Sequence, residues 1–255
     1  MGSRSGQGAG NNYICSDIMA CMGDTDLRNN DLLERVWGGT VNCSSCKIRE
    51  LVLFSQLSED DFNHIHQPIH DFDYQQGSSL YHEGEQGKYI YTIRSGMVKL
   101  EAGLPDGTTK IVRLLQMGDV IGLEAVIGES YNHSAIALES GEICRIPVEV
   151  IQNLQEHSPR LCNELMVRWN KALTLADEWL IDLHSGHARR RVTRLIDYVE
   201  NNSPHASEFL LPSRADMSSI LGLTKETISR LVAELKRDGF LLDLGNGSFE
   251  RKSED

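Results

Sequence analysis

The sequence lacks long hydrophobic runs. No apolar stretch approaches the roughly 18 residues of a membrane helix, and residues 1–13 contain no hydrophobic signal-peptide core. Cysteine is also scarce: six in 255 residues are too few for a disulfide scaffold. We therefore expect a cytoplasmic protein with no membrane partner, whose cysteines are reduced thiols or metal ligands.

The chain also lacks an excess of positive charge. Taken alone, this argues against a nucleic-acid partner, which requires a basic surface. The chain has 25 Lys and Arg against 37 Asp and Glu, a net charge of −12. Residues 187–255 contain 11 of each sign, so the whole acidic excess lies in residues 1–186. A neutral C-terminal part joined to an acidic body predicts two domains with different partners.

The hydrophobic pattern changes three times along the chain. Residues 1–40 show little periodicity and many Gly and Asn, which is typical of a flexible tail. Between residues 72 and 147, short alternating runs separated by turns predict a compact antiparallel β domain. These runs are Tyr89 to Ile93, Val98 to Glu101, Lys110 to Leu115, Val120 to Gly122, Ser134 to Leu138 and Ile143 to Pro147.

A heptad pattern follows the β-like runs. From Pro159, apolar positions recur at alternating intervals of four and three residues, which predicts a long helix with one seam. The seam consists of Cys162, Met166, Trp169, Leu173, Ala176, Leu180, Leu183 and His187. Such a stripe can pack on its own β domain or pair with a second copy in a homodimer.

The last 70 or so residues predict helices and a hairpin. The predicted elements are Ala188 to Asn201, Arg214 to Leu221, Lys225 to Gly239, and a hairpin from Phe240 to Phe249. Gly222 can take the positive φ of a tight turn, and Thr224 is a good N-cap for the following helix. This layout is typical of a helix-turn-helix.

The helix that begins at Lys225 has two different faces. Its apolar face comprises Ile228, Leu231, Val232 and Leu235, whereas Glu226, Ser229 and Arg230 share another face. In a helix that enters the major groove, such a trio can read base edges: Arg230 guanine, Glu226 cytosine, Ser229 thymine. The alternative is that Glu226 and Arg230 form only a surface salt bridge. Candidate phosphate contacts are Thr224, Lys225, Arg214 and the cluster Arg189, Arg190, Arg191 and Arg194.

These residues resemble the CRP/FNR superfamily of bacterial transcription regulators. The resemblance covers about residues 41 to 250, and its most characteristic runs are Gly77-x-x-Leu80-Tyr81-x-x-Gly84-Glu85 and Tyr91-x-Ile93-x-Ser95-Gly96-x-Val98-Lys99. Glu226-x-x-Ser229-Arg230 is similar to the recognition pattern of the FNR branch, whereas the cyclic-AMP branch has glycine at the position of Ser229.

The resemblance implies an α+β chain with a β-roll sensor domain like cyclic-nucleotide-binding domains, a long dimerisation helix and a winged helix-turn-helix. The domains expected are a tail over 1–40, the cysteine-containing segment and β-roll over 41–150, the dimerisation helix over 151–187 and the DNA-binding domain over 188–255. A homodimer would bind double-stranded DNA at a TTGAT-like inverted repeat. RNA polymerase would be a further partner, with the Pro105-Asp106-Gly107 turn near one contact patch.

The resemblance does not extend to a cyclic-nucleotide site. In the family's nucleotide binders a glycine-glutamate pair and an arginine-serine pair hold the ribose and phosphate. Here Gly122 is followed by Leu123, and His133 precedes Ser134 where the arginine would stand. Without that arginine the phosphate has no charge partner, so no cyclic nucleotide is expected.

The FNR branch instead implies a [4Fe-4S] cluster held by four cysteines. Cys43-x-x-Cys46 is similar to the N-terminal motif and Cys144 to the β-roll ligand, but Val52 occupies the position of the third N-terminal cysteine. Cys21 or Cys15 is a candidate fourth ligand. The alternatives are thiol redox chemistry or zinc at the pair, or no site, with Cys144 a small buried side chain.

Two other classes of function compete with the regulator. The first is a redox- or metal-sensing module whose helix-turn-helix serves protein contacts. The second is an enzyme, which is not expected because the sequence has no nucleophile motif or phosphate-binding loop. The spacing of His64, His66 and His70 does not place all three on one helical face.

Overall fold

The computed structural model describes residues 69–203 and 208–251, together with positions 53, 54, 57, 58, 61, 64 and 65. The proposed tail and the residues Cys15, Cys21, Cys43, Cys46 and Val52 lie outside the described residues. The strands are β1 (His70–Tyr74), β2 (Ser79–Tyr81), β3 (Tyr89–Ile93), β4 (Val98–Gly103), β5 (Thr109–Leu115), β6 (Val120–Ile121), β7 (Ser134–Ala137), β8 (Gly141–Pro147), β9 (Glu208–Leu210), β10 (Leu241–Gly245) and β11 (Ser248–Arg251). The helices are α1 (Val148–His157), α2 (Pro159–His184), α3 (Ala188–Asn201), α4 (Arg214–Leu221) and α5 (Lys225–Arg237), with a 3₁₀ helix at Leu123–Ile127.

The first eight strands form the predicted antiparallel β domain. One sheet has the strand order β1-β8-β3-β6 and the other β2-β7-β4-β5. The two sheets bury their apolar side chains in one core, to which β3 contributes Ile90 and Ile93 and β4 contributes Val98. All six strand runs predicted from the alternation are strands. The α+β class is therefore confirmed.

Two helices, rather than one, follow the β domain. Ser158, the residue before Pro159, is extended with φ −129° and ψ 102°, and separates α1 from α2. A proline disfavours the helical conformation of the residue before it but fits the first turn of a new helix. The segment 151–187 thus contains most of α1 and all of α2. Helix α2 ends at His184, before Gly186 with φ 83°, so His187 lies outside it.

The C-terminal domain has a small sheet and a second apolar core, to which the β domain also contributes side chains. Apolar side chains of α3, α4 and α5 pack together with Phe209 of β9 and Phe249 of β11. The sheet order β10-β11-β9 gives the wing, whose turn contains Asn246 at φ 52° between Gly245 and Gly247. The helices and hairpin predicted from the sequence are confirmed, while β9 has too short a run to be predicted.

Membrane insertion has no helical candidate in the described part of the chain. None of its helices combines the length and the apolar composition that crossing a bilayer requires.

Candidate nucleic-acid interface

The turn between α4 and α5 is fixed by local hydrogen bonds. Gly222 ends α4 in the left-handed conformation, φ 59° and ψ 38°, and its N–H donates to the Ser218 carbonyl at 2.8 Å. The Ser218 hydroxyl donates to the Leu223 carbonyl at 2.6 Å. A residue with a Cβ is strained at this φ, so glycine is the residue that suits the turn. The entry of the chain into α5 is thereby set.

Thr224 caps the helix that the sequence assigns to base reading. Its Oγ1 accepts a hydrogen bond from the Thr227 N–H at 3.2 Å, which satisfies one of the unpaired donors of the first turn. Ile228, Leu231, Val232 and Leu235 bury the opposite face of α5 in the domain core. Packing and capping therefore fix both the position and the rotation of the helix.

The predicted base-reading side chains point to solvent. Glu226, Ser229 and Arg230 are exposed, as are Thr224 and Lys225. Among the described residues, the ion pairs of α5 are made by Glu234 and Lys236 and not by Glu226 or Arg230. The surface salt bridge considered as an alternative does not form, so both charged groups are available to a ligand.

Glu226 is an ionised hydrogen-bond acceptor. Its pKa is lowered first by its own backbone N–H and then by the Thr224 hydroxyl. The carboxylate is therefore charged at neutral pH and can accept from the amino group of cytosine. It also lies in the first turn, where the helix dipole favours a negative charge.

The basic residues considered as phosphate contacts differ in their availability. Arg189 pairs with Glu234 and Asp238, and Arg191 donates through Nε to the Leu183 carbonyl at 2.8 Å. Arg194 lies 3.9 Å from Asp197, and Arg190 is exposed.

Arg214, on α4, is half-buried, with Nη1 3.4 Å from Met217 Sδ, and burial lowers its pKa. Lys225, Arg190 and Arg214 are thus the better phosphate candidates of the set.

Helix α2 presents most of the predicted seam to solvent. Met166, Trp169, Leu173 and Leu180 are exposed on one face, with Leu173 at 63%, and Ala176 is half-buried between them. Leu183 departs from the prediction because it is only 3% exposed and packs in the core with α3. Near the end of α2, the side chain at this heptad position faces the chain's own C-terminal domain. The large apolar surface that remains is typical of an interface.

The interior of the β domain contains stacked tyrosines near the positions compared with a cyclic-nucleotide cassette. The rings of Tyr81 and Tyr131 stack with centroids 3.9 Å apart, and Tyr91 lies 5.6 Å from Tyr81. All three are buried, and the Tyr131 hydroxyl donates to the Tyr89 carbonyl at 2.7 Å. Burial, and then the nearby charge of Arg113, lowers the pKa of His133. His133 is therefore neutral at pH 7 and cannot replace an arginine as a phosphate partner.

Cys144 is the one proposed cluster ligand among the described residues. It is 7% exposed on β8, in register with Asp71 of β1 and Thr92 of β3. The Thr92 hydroxyl is buried and has no hydrogen-bond partner in the described part of the chain. The described residues contain no group of three metal-ligating side chains. Cys162, by contrast, is half-buried on α2, with Sγ 4.0 Å from the Gln155 carbonyl.

Comparison with known proteins gives two matches along the chain. The family model of the cyclic nucleotide-binding domain matches residues 72–158, and that of the Crp-like helix-turn-helix domain matches residues 178–250. The fumarate and nitrate reduction regulatory protein of Vibrio cholerae is 28% identical over 212 residues, which are 80% of this chain and 84% of that protein. The anaerobic regulatory protein of Pasteurella multocida is 28% identical over 210 residues, 80% of this chain and 77% of that protein. Among solved structures, FixK2 from Bradyrhizobium japonicum has a TM-score of 0.66 at 26% identity, covering 72% of this chain and 93% of that one.

Proposed function

The chain belongs to the CRP/FNR family of transcription regulators, and on that premise we propose that it is a homodimer that reads a TTGAT-like inverted repeat through α5. The observation that carries the proposal is the exposed trio Glu226, Ser229 and Arg230 on a helix whose other face is packed in the core. A rigid helix with exposed polar groups in its first turns suits the major groove.

Each member of the trio has a chemical role at the base edges. Arg230 donates two hydrogen bonds to the single guanine of the half-site, and Glu226 accepts from a cytosine amino group. Ser229 contacts a thymine. Thr224, Lys225 and Arg214 hold the phosphates and set the register of the helix. Because residues 187–255 hold as many basic as acidic residues, the acidic body does not oppose DNA at this end of the chain.

Dimerisation places two copies of α5 on one face of the DNA. The apolar face of α2, comprising Met166, Trp169, Leu173, Ala176 and Leu180, pairs with the same face of a second copy. The symmetry of such a pair matches an inverted repeat with half-sites about one helical turn apart. RNA polymerase is the further partner typical of the family, and the exposed turn at Pro105, Asp106 and Gly107 is the proposed contact.

A DNA-binding assay with a salt series tests the proposed function. A dimer that contacts about six to ten phosphates should lose about a thousand-fold or more in affinity between roughly 50 and 200 mM salt. Fluorescence anisotropy would compare the TTGAT repeat with a scrambled repeat of equal length. The expected result is a steep salt dependence with clear preference for the repeat. Absence of DNA binding at low salt would favour the competing function, a sensor module whose helix-turn-helix contacts protein.

The signal proposed for the sensor domain is oxygen or redox state rather than a cyclic nucleotide. The relatives are named for fumarate and nitrate reduction and for anaerobic regulation. The neutral His133, which cannot pair with a phosphate, argues against nucleotide binding in the β domain. Cys43, Cys46 and Cys144 would hold an iron-sulfur cluster, with Cys21 or Cys15 as fourth ligand.

The surroundings of Cys144 fit such a group. Its thiol is buried. The Thr92 hydroxyl lies on the neighbouring strand β3 in register with Cys144, has no hydrogen-bond partner among the described residues, and can donate a hydrogen bond to a thiolate. When bound, a cluster would supply one-electron redox chemistry. Hydrogen bonds to its sulfurs would adjust its reduction potential. The chain's own contribution is a dry, ordered strand that presents one ligand.

Iron and acid-labile sulfide analysis of protein purified without oxygen tests this proposal. Iron and sulfide near four per chain, with absorbance that bleaches in air, is the expected result. Cys144→Ser should lose most of the iron, whereas the control Cys162→Ser should retain it. Colourless wild-type protein, or equal iron in the two variants, would contradict the cluster at Cys144.

A further inference from the structure

The β domain has an open sheet edge against which the C-terminal domain lies. Strand β5 is the last strand of its sheet, so one side of its backbone has no strand partner among the described residues. Edge N–H and C=O groups require other partners when they are covered. Here, side-chain hydroxyls from the C-terminal domain supply them.

Two residues of the C-terminal domain bond to the β5 backbone. The Ile111 N–H donates to Ser219 Oγ at 2.8 Å, and the Ser219 hydroxyl donates to the Thr109 carbonyl at 3.0 Å. Farther along the strand, the Tyr198 hydroxyl donates to the Leu114 carbonyl at 2.9 Å. The C-terminal domain is therefore bonded to both ends of the β5 edge, through α4 and α3.

Two lysines of the β domain reach across to α4. Lys99 Nζ lies 2.6 Å from Asp216 Oδ1 and 2.5 Å from Glu101 Oε1. Burial lowers the pKa of Lys99, but the hydrogen bonds to Asp216 and Glu101 outweigh it and raise the pKa overall. Lys110 Nζ donates to the Ile220 carbonyl at 2.9 Å, at the negative end of the α4 dipole.

An apolar contact lies beneath these polar groups. Met97, Ile111 and Leu114 of the β domain belong to the same buried cluster as Ile220 and Leu221 of α4. The interface thus combines edge hydrogen bonds, a partly buried ion cluster and core-like packing. Such a combination favours one orientation of the two domains.

The contact leaves the reading helix free. Helix α5 packs on α3, α4 and β10, while its polar trio is exposed. The groups that hold α4 to β4 and β5 are the side chains of Asp216 and Ser219 and the Ile220 carbonyl. They lie farther along α4 than Arg214, the proposed phosphate contact in its first turn. The docked orientation is therefore compatible with DNA binding.

We propose that the β5 edge is a clamp that fixes the orientation of the DNA-binding domain, with Lys99 and Asp216 as positioning residues. The proposal rests on the proposed function, because the clamp sets the distance between the two α5 helices of a dimer. A domain held in one orientation binds half-sites of one spacing and loses little entropy on binding. A released domain accepts other spacings and binds the correct one less tightly.

Charge reversal tests the clamp. Lys99→Glu places three carboxylates together, whereas Lys99→Glu with Asp216→Lys restores one cation between two anions. Lys88→Glu is the control, because exposed Lys88 gives the same charge change next to β3 in the other sheet. The measurements are amide hydrogen exchange at Ile111 and the ratio of affinities for the correctly spaced repeat and one lengthened by about two base pairs.

We expect Lys99→Glu to accelerate Ile111 exchange about tenfold or more, and to lower the affinity ratio about fivefold. The double variant should restore both, and Lys88→Glu should change neither. Unchanged exchange in Lys99→Glu, no restoration in the double variant, or an unchanged ratio despite faster exchange would overturn the proposal. Hydrogen exchange needs no DNA, so failure of the wild-type protein to bind the repeat would contradict the proposed function separately.

Discussion

Replacement of Leu173 by Glu should convert the dimer to a monomer. Leu173 lies at the centre of the exposed apolar face of α2. In a symmetric pair, two carboxylates would meet near the axis in a dehydrated contact. An unpaired buried charge costs several kcal/mol, so the dimer dissociation constant should rise about a hundred-fold or more. Sedimentation equilibrium measures this directly.

DNA binding by the same variant should change in a characteristic way. The inverted repeat should lose the advantage of two linked contacts, whereas binding to a single half-site should stay nearly constant. Gln152→Glu is a suitable control, because it adds the same charge at an exposed position of α1. A Leu173→Glu protein that remained dimeric would show that the exposed apolar face of α2 does not form the dimer interface.

Replacement of Arg230 by Ala should selectively weaken specific DNA binding. Loss of a bidentate contact to guanine costs about 1–3 kcal/mol, or roughly five- to 150-fold, for each half-site of the TTGAT repeat. Nonspecific DNA presents no aligned guanine, so its affinity should fall only slightly through the lost charge. Competition titrations against repeat and scrambled DNA measure both quantities at one salt concentration.

A matched variant distinguishes the loss of a base contact from the loss of a positive charge. Arg237→Ala removes the same charge from the exposed last turn of α5, away from the first turns that enter the groove. It should weaken both DNAs about equally and modestly. Equal losses on the two DNAs for Arg230→Ala as well would mean that Arg230 contacts phosphate and not a base.

The sequence predicted the elements of the reading domain because local physical rules determine them. Gly222 is needed for a left-handed turn, Thr224 for a cap, and the apolar spacing of α5 fixes which face is buried. The strand runs from Tyr89 onward were predictable for a similar reason, since alternation specifies a sheet with one buried face.

The relative placement of the two domains was not predictable from these rules. The bonds of Ser219 and Tyr198 to β5, and the pairing of Lys99 with Asp216, join residues far apart in sequence. A serine within a helix and a lysine on a strand carry no local signal of such contacts. The same reason explains Leu183, whose heptad position predicted the seam although α3 covers it.

The sequence also did not predict which of the clustered arginines are paired in the folded chain. The run of arginines at Arg189, Arg190, Arg191 and Arg194 predicted phosphate contacts, yet three of the four have partners in the folded chain. Two of the three pairings, Arg189 with Glu234 and Arg191 with the Leu183 carbonyl, join neighbouring helices and depend on the packing of α3 against α2 and α5. The third, Arg194 with Asp197, lies within α3 at a spacing of three residues.

The most direct test of the central claim, that α5 reads bases through Arg230, is a double-mutant cycle between Arg230 and the guanine of the half-site. Four affinities are measured at one salt concentration: wild type and Arg230→Ala, each on the TTGAT repeat and on a repeat with that guanine replaced. The account predicts that the base change costs the wild type more than it costs Arg230→Ala, by about 1–3 kcal/mol per half-site, because the variant loses only the Glu226 contact to the paired cytosine. Equal costs of the base change in both proteins would contradict it.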